Sequence, residues 1–154
     1  MRKVNTVPER KTVERARRDA RQGKSPSTQA GEFVREEMEH IREGKHGARS
    51  AKQAIAIGLS KARRAGVRLA PPERGKTSRR TRRQAKRDLA KGSRQGRPSA
   101  RRSRAAERAL KKEPRSAASH RALSRQAHAA ARKRTKASRS RAAKKAAATR
   151  RRRR

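Results

Sequence analysis

Large apolar side chains crowd into one stretch of the 154-residue chain. Phe33, Val34, Met38, Ile41, Ile55, Ile57, Leu59, Val67 and Leu69 all fall between residues 28 and 69, while Leu89, Leu110 and Leu123 are all that follow residue 73. Within that stretch Ala30, Phe33, Val34, Met38 and Ile41 recur at steps of three and four, the spacing of one helix face. Ser27 or Thr28 stands where a helix cap is needed, and Gly44 where the helix should stop. The opposite side carries Glu32, Glu36, Glu37, Glu39 and Glu43 and reads as a solvated acidic face. After a loop at 45–49, Ser50 and Gln53 have the spacing of a capping box. Ala51, Ala54, Ile55, Gly58, Leu59 and Ala62 then form the stripe of a second amphipathic helix that Gly66 ends, with Val67 and Leu69 placed to fold back onto it. The prediction is an antiparallel helical hairpin with Phe33, Val34, Met38, Ile41, Ile55 and Leu59 as its core.

The flanks lack such patterning. Upstream, Pro8 and Gly23 bracket a run of helix formers whose apolar side, Val13, Ala16 and Ala20, is thin. An exposed or fraying basic helix is expected, because isolated helices of about 12 to 15 residues are marginal in water. Downstream, residues 78–91, 99–112 and 117–137 are rich in Ala, Arg and Lys, with Gly92 and Pro114 as stops. Alanine favours helix there, but like charges at three- and four-residue spacing oppose it, so helix is expected once phosphates neutralise the repulsion. Four regions follow: a basic N-terminal helix and linker at 1–26, the hairpin at 27–70, a basic, conditionally helical region at 71–138, and a disordered Arg-rich tail at 139–154. The expected fold class is all-α with extensive disorder: a small hairpin, extended basic helices and a tail, with no large core.

Composition sharpens this picture. Lys and Arg number 51 against 12 Asp and Glu, a formal net charge of +39, with 29% hydrophobic residues and Phe33 as the single aromatic. Low hydrophobicity with high net charge is the signature of disorder, and nine large apolar side chains barely offset the conformational entropy of the residues they would order. Self-association through the hairpin is therefore expected. The charge is lopsided: residues 1–72 hold 18 basic and 8 acidic side chains, residues 73–154 hold 33 and 4. Such an excess seeks polyanions, and counterion release makes phosphate contacts strong at low salt. Arg79, Arg80, Arg82, Arg83, Arg101, Arg102, Arg104, Arg132, Lys133, Arg134, Arg150, Arg151, Arg152, Arg153 and Arg154 are the candidate phosphate contacts. Without a packed recognition scaffold or aromatic rings to stack bases, binding is expected to be largely indifferent to sequence.

The block GEFVREEMEHIREGKHGARSAKQAIAIGLSKARRAGVRL at 31–69, and within it SAKQAIAIGLSKARRAG, resembles a family of small basic bacterial proteins of unknown function. RSAASHRALSRQA at 115–127 looks like the extensions of some members, and the Lys/Arg/Ala texture of the tail is similar to bacterial linker-histone-like tails. The resemblance implies a bacterial origin and a compact helical block; it implies no activity.

Other chemistry is thinly represented. Cysteine is absent, which removes disulfides and thiolate metal sites and fits a reducing interior. His40, His46, His120 and His128 are scattered, with no pair at i, i+4, so no metal is expected, and His40 reads as a surface residue. No cofactor fingerprint or nucleophile elbow occurs, which argues against an enzyme and a small-molecule substrate. No apolar run of membrane-spanning length occurs either, so no membrane insertion is expected. The function expected is non-enzymatic DNA binding of a histone-like, architectural kind in the cytoplasm, at the bacterial nucleoid. RNA or ribosome binding is the electrostatic rival, and a protein adaptor that docks through the hairpin with a basic tether is the other.

Overall fold

A computed structural model describes residues 8–92 and 99–152. Its helices are α1 (Arg10–Arg21), α2 (Pro26–Arg42), α3 (Ala51–Arg64), α4 (Arg79–Gly92), α5 (Ala100–Lys111), a 3₁₀ turn (Arg115–Ala118), α6 (His120–Arg132) and α7 (Lys136–Arg151). No strand occurs among the described residues. The chain divides into two compact units, one ending at Ser119 and one starting at His120.

Local chemistry explains the element ends. α2 starts two to three residues earlier than Ser27 or Thr28 would place it: Ser25 is the cap, its Oγ accepting from the Thr28 amide at 3.4 Å, with Pro26 at the first helical position. Ser50 caps α3 by accepting from the Gln53 amide at 3.2 Å, while the Gln53 side chain takes the Arg49 amide at 2.7 Å. Gly66, at φ +94°, lets the chain leave α3 in the left-handed region, and the Val67 amide reaches back to the Ala62 carbonyl at 3.0 Å. Val67 is thereby buried and Leu69 packs beside it, as the pattern predicts.

The hairpin does not stand alone, and the expectation of extensive disorder without a core is overturned. α1 is not a fraying helix: Thr12, Ala16 and Asp19 are buried, and Ala16 joins Ala30, Phe33, Ala62 and Val67 in one cluster. Arg15 on α1 pairs with Glu32 on α2 at 2.7 Å. α4 packs on α3 through Ala85 and Asp88, and the 3₁₀ turn packs on α2 and α3 through Ala117 and Ala118. The Gly47 and Ala48 amides donate to the carbonyls of Leu110 and Pro114, at 2.9 and 3.0 Å, and Arg42 Nε donates to the Ala118 carbonyl at 3.1 Å. The interior is mostly alanine: Ala16, Ala30, Ala48, Ala51, Ala54, Ala62, Ala85, Ala117 and Ala118 are all buried. Small side chains let backbones approach closely, so a core forms from residues that a count of large apolar side chains overlooks. Of the predicted hairpin core, Phe33, Met38 and Ile41 are buried, whereas Val34, Ile55 and Leu59 are half-buried.

The second unit departs from expectation too. Residues 117–137 do not form one helix; α6 ends at Arg132, and the chain turns before Thr135 caps α7 by accepting from the Ser138 amide at 3.2 Å. The Arg-rich stretch expected to be a disordered tail is helical to Arg151. Its alanines and this cap supply helix propensity that the like charges do not cancel. Arg153 and Arg154 lie outside the described residues. None of the described helices is long and apolar enough to cross a membrane.

α3 comes close to α2 at Gly58, where an added Cβ would lie 2.7 Å from Val34 Cα and 2.9 Å from Val34 N, both backbone. Gly58→Ala is expected to cost about 1–3 kcal/mol through overpacking. Gly31→Ala meets nothing within 4 Å and should instead stabilise by roughly 0.5–1 kcal/mol through helix propensity. Urea unfolding of the two variants, monitored by circular dichroism, checks both signs.

Candidate functional site

Two features stand out, one on the surface and one inside the first unit. α4 supplies the surface feature. Its inner face is fixed by Asp88, which accepts from Ser60 Oγ at 2.6 Å and Gln84 Nε2 at 3.0 Å and lies 3.9 Å from Arg64 Nε. Ser78 caps the helix, accepting from the Thr81 amide at 3.2 Å. Because one face is pinned, the cations of the other are held in a row. Arg79, Arg82, Arg83 and Lys86 line a shallow groove with Arg74, and Arg80 and Arg87 extend it around the helix. Arg79, Arg80 and Arg83 are exposed, whereas Arg82 is half-buried with its Nε donating to the Pro72 carbonyl at 3.1 Å.

Of the other predicted phosphate contacts in the first unit, Arg101, Arg102 and Arg104 do not line this groove. Arg101, Arg102 and Arg104 are exposed on α5. Arg132 ends α6, Lys133 and Arg134 occupy the turn after it, and Arg150, Arg151 and Arg152 close α7, all exposed. Arg74, Lys86 and Arg87 were missed as members of the groove, although the 79, 82/83, 86 spacing already places three turns of cations on one face.

Inside, the acidic side of α2 is not a solvated face. Glu36 and Glu37 are 1% and 0% exposed, and Lys61 of α3, 4% exposed, forms ion pairs with both, at 3.3 Å to Glu36. Glu36 also accepts from the Glu9 amide at 3.2 Å, which ties the start of α1 to α2. His40 is buried rather than on the surface, and its Nε2 donates to Glu9 at 2.8 Å. His46, buried in the loop after α2, donates from Nδ1 to the Gly47 carbonyl at 3.0 Å and turns Nε2 toward Glu37 at 3.4 Å. Burial disfavours charge on both partners of that last pair. The mutual attraction outweighs it, with Lys61 adding to the hold on the carboxylate: His46 sits above the usual imidazole range and Glu37 below the usual carboxylate range. Ligand atoms of Glu37, His40 and His46 all lie within 4.8 Å of one another. Two groups of α2 and one from the loop after it thus meet at the α2–α3 loop. The signal available in the sequence was Glu37-x-x-His40, an i, i+3 pair on one helix face.

Residues 25–74 match the model of a family described as a family of unknown function (DUF6496). That span takes in α2, α3, the buried Glu36–Glu37–Lys61 group, His40 and His46, and the whole of the resemblance at 31–69; α1 and the rest of the basic half lie outside it. No curated protein and no solved structure matches the chain, so the likeness of its tail to linker-histone-like tails rests on composition alone.

Lys61→Ala leaves Glu36 and Glu37 buried without their ammonium partner. It is expected to destabilise the first unit by about 3–5 kcal/mol, read as a drop in the urea midpoint of the full chain.

Proposed function

We propose that the chain binds duplex DNA with little sequence preference, neutralising phosphates in a histone-like, nucleoid-associated architectural role. The observation that carries this reading is α4: a helix docked by Ala85 and Asp88 that presents Arg79, Arg80, Arg83, Lys86 and Arg87 outward. Successive turns of a helix place those cations about 5.4 Å apart along its axis, and docking means their positions are set before any phosphate arrives. Arginine adds a planar fork suited to paired phosphate oxygens. The net charge of +39 supplies the long-range attraction and the contacts from α5, α6 and α7 that follow.

Base reading finds less support on this face. Gln84, the amide of α4, is engaged by Asp88 and by Arg87 Nη2 at 2.9 Å. A side chain held by its own helix is a poor reader of base edges. Affinity should therefore track salt more than sequence.

In a gel-shift salt titration on unrelated duplexes, the full chain is expected to bind each of them with a steep log–log slope. Replacing Arg79, Arg80, Arg83 and Arg87 together with Gln should reduce that slope by about 3 to 4, near 0.9 for each lost phosphate contact. Equal retention on all duplexes supports the reading, and stronger retention on structured RNA at the same salt would replace DNA with RNA as the polymer. A chain that ignores both at 50 mM salt would refute it.

A further inference from the structure

The buried polar group at the α2–α3 loop is built more elaborately than packing requires. His40 is 3% exposed, and its Nδ1 is buried without a hydrogen-bond partner. Since the Glu9 carboxylate can only accept, the proton of a neutral His40 ring sits on Nε2, and Nδ1 is left as a lone pair. His46 has the complementary arrangement: Nδ1 donates to the Gly47 carbonyl, so Nε2 carries the lone pair of the neutral ring toward Glu37. Each imidazole is thus oriented by a carboxylate or carbonyl on its far nitrogen, the support that metal-ligating histidines characteristically have.

We propose that Glu37, His40 and His46 form a binding site for a divalent ion of the zinc class. The donor set, two imidazoles and one carboxylate, suits such an ion. Ligand atoms around tetrahedral zinc lie about 3.4 Å apart, given bonds of about 2.1 Å; the three ligand atoms here lie within 4.8 Å of one another, and an ion would draw them closer. Glu37 and His40 share one face of α2, and His46 arrives from the loop, so the ion would clasp the loop to the helix.

Charge favours the same occupant. Glu9, Glu36, Glu37 and Glu43 face two ammonium groups, Lys45 and Lys61, within this network. Among the buried members, Glu36 and Glu37 face the single ammonium of Lys61, which leaves one negative charge in excess when both imidazoles are neutral, in a protein that is otherwise strongly cationic. That negative charge attracts a cation to the two imidazoles and Glu37. A cavity of about 460 Å³ is lined by Glu37 and His46 together with Gln53, Ser60, Lys61 and Leu110, so two of the three ligands border open space.

The test uses the full chain, prepared without a histidine tag, stripped with chelator and titrated with Zn2+ by calorimetry, and with Co2+ by visible absorption. One equivalent of Zn2+ and a tetrahedral Co2+ spectrum are expected, both lost in His40→Ala and His46→Ala and both kept in a His120→Ala, His128→Ala double variant. Glu9→Gln keeps all three ligands but loosens the support of His40, and should weaken Zn2+ binding about 10- to 100-fold with helix content unchanged. Millimolar binding only, or tight binding that His40→Ala leaves intact, overturns the proposal. If His40→Ala does not fold, unchanged Zn2+ affinity in Glu9→Gln overturns it instead.

Discussion

The first unit turns on one ammonium group. Lys61 of α3 reaches Glu36 and Glu37 of α2, and these two carboxylates connect onward to α1 through the Glu9 amide and to the α2–α3 loop through His46. A buried ion pair gains little over apolar residues of the same shape, yet removing one partner is expensive, because a charge is then stranded away from water. An interface of alanines and Gly58 has few bulky side chains to set its register. The Lys61 group helps to set that register, because in it the ammonium meets two carboxylates at once.

The same economy shapes the surface. Four of the twelve acids, Asp19, Glu36, Glu37 and Asp88, are buried, each with a cationic partner. Asp88, the one acid of α4, is turned inward beside Arg64, so the exposed face of that helix carries no carboxylate. Asp88 has two roles in this: it pins α4 to Ser60 of α3 and, by doing so, turns the arginines outward. The buried acids and the basic row are therefore two aspects of one packing solution.

The two features also differ in how much of the chain they need. The buried Glu–His–Lys group lies within residues 25–74 apart from Glu9, the span shared with the family of unknown function, whereas the groove cations other than Arg74 lie beyond it. Ionic interior and cationic exterior are separable in sequence even though Asp88 couples them in space.

Sequence alone determined the helices of the hairpin, the Ser50 cap, the Gly44 and Gly66 stops and the return of Val67 and Leu69. These depend on neighbours within a few residues, where spacing and backbone preference decide the outcome. It also determined the cationic excess, which no folding can remove. Tertiary structure decided what lies beyond that reach: that α1, α4 and the 3₁₀ turn pack on the hairpin through alanines, that Glu36, Glu37 and His40 face inward, and that His46 meets Glu37. Disorder was expected because burial was counted in large apolar side chains. Close backbone approach and paired charges do the same work, and both arise only between segments that the chain brings together from a distance.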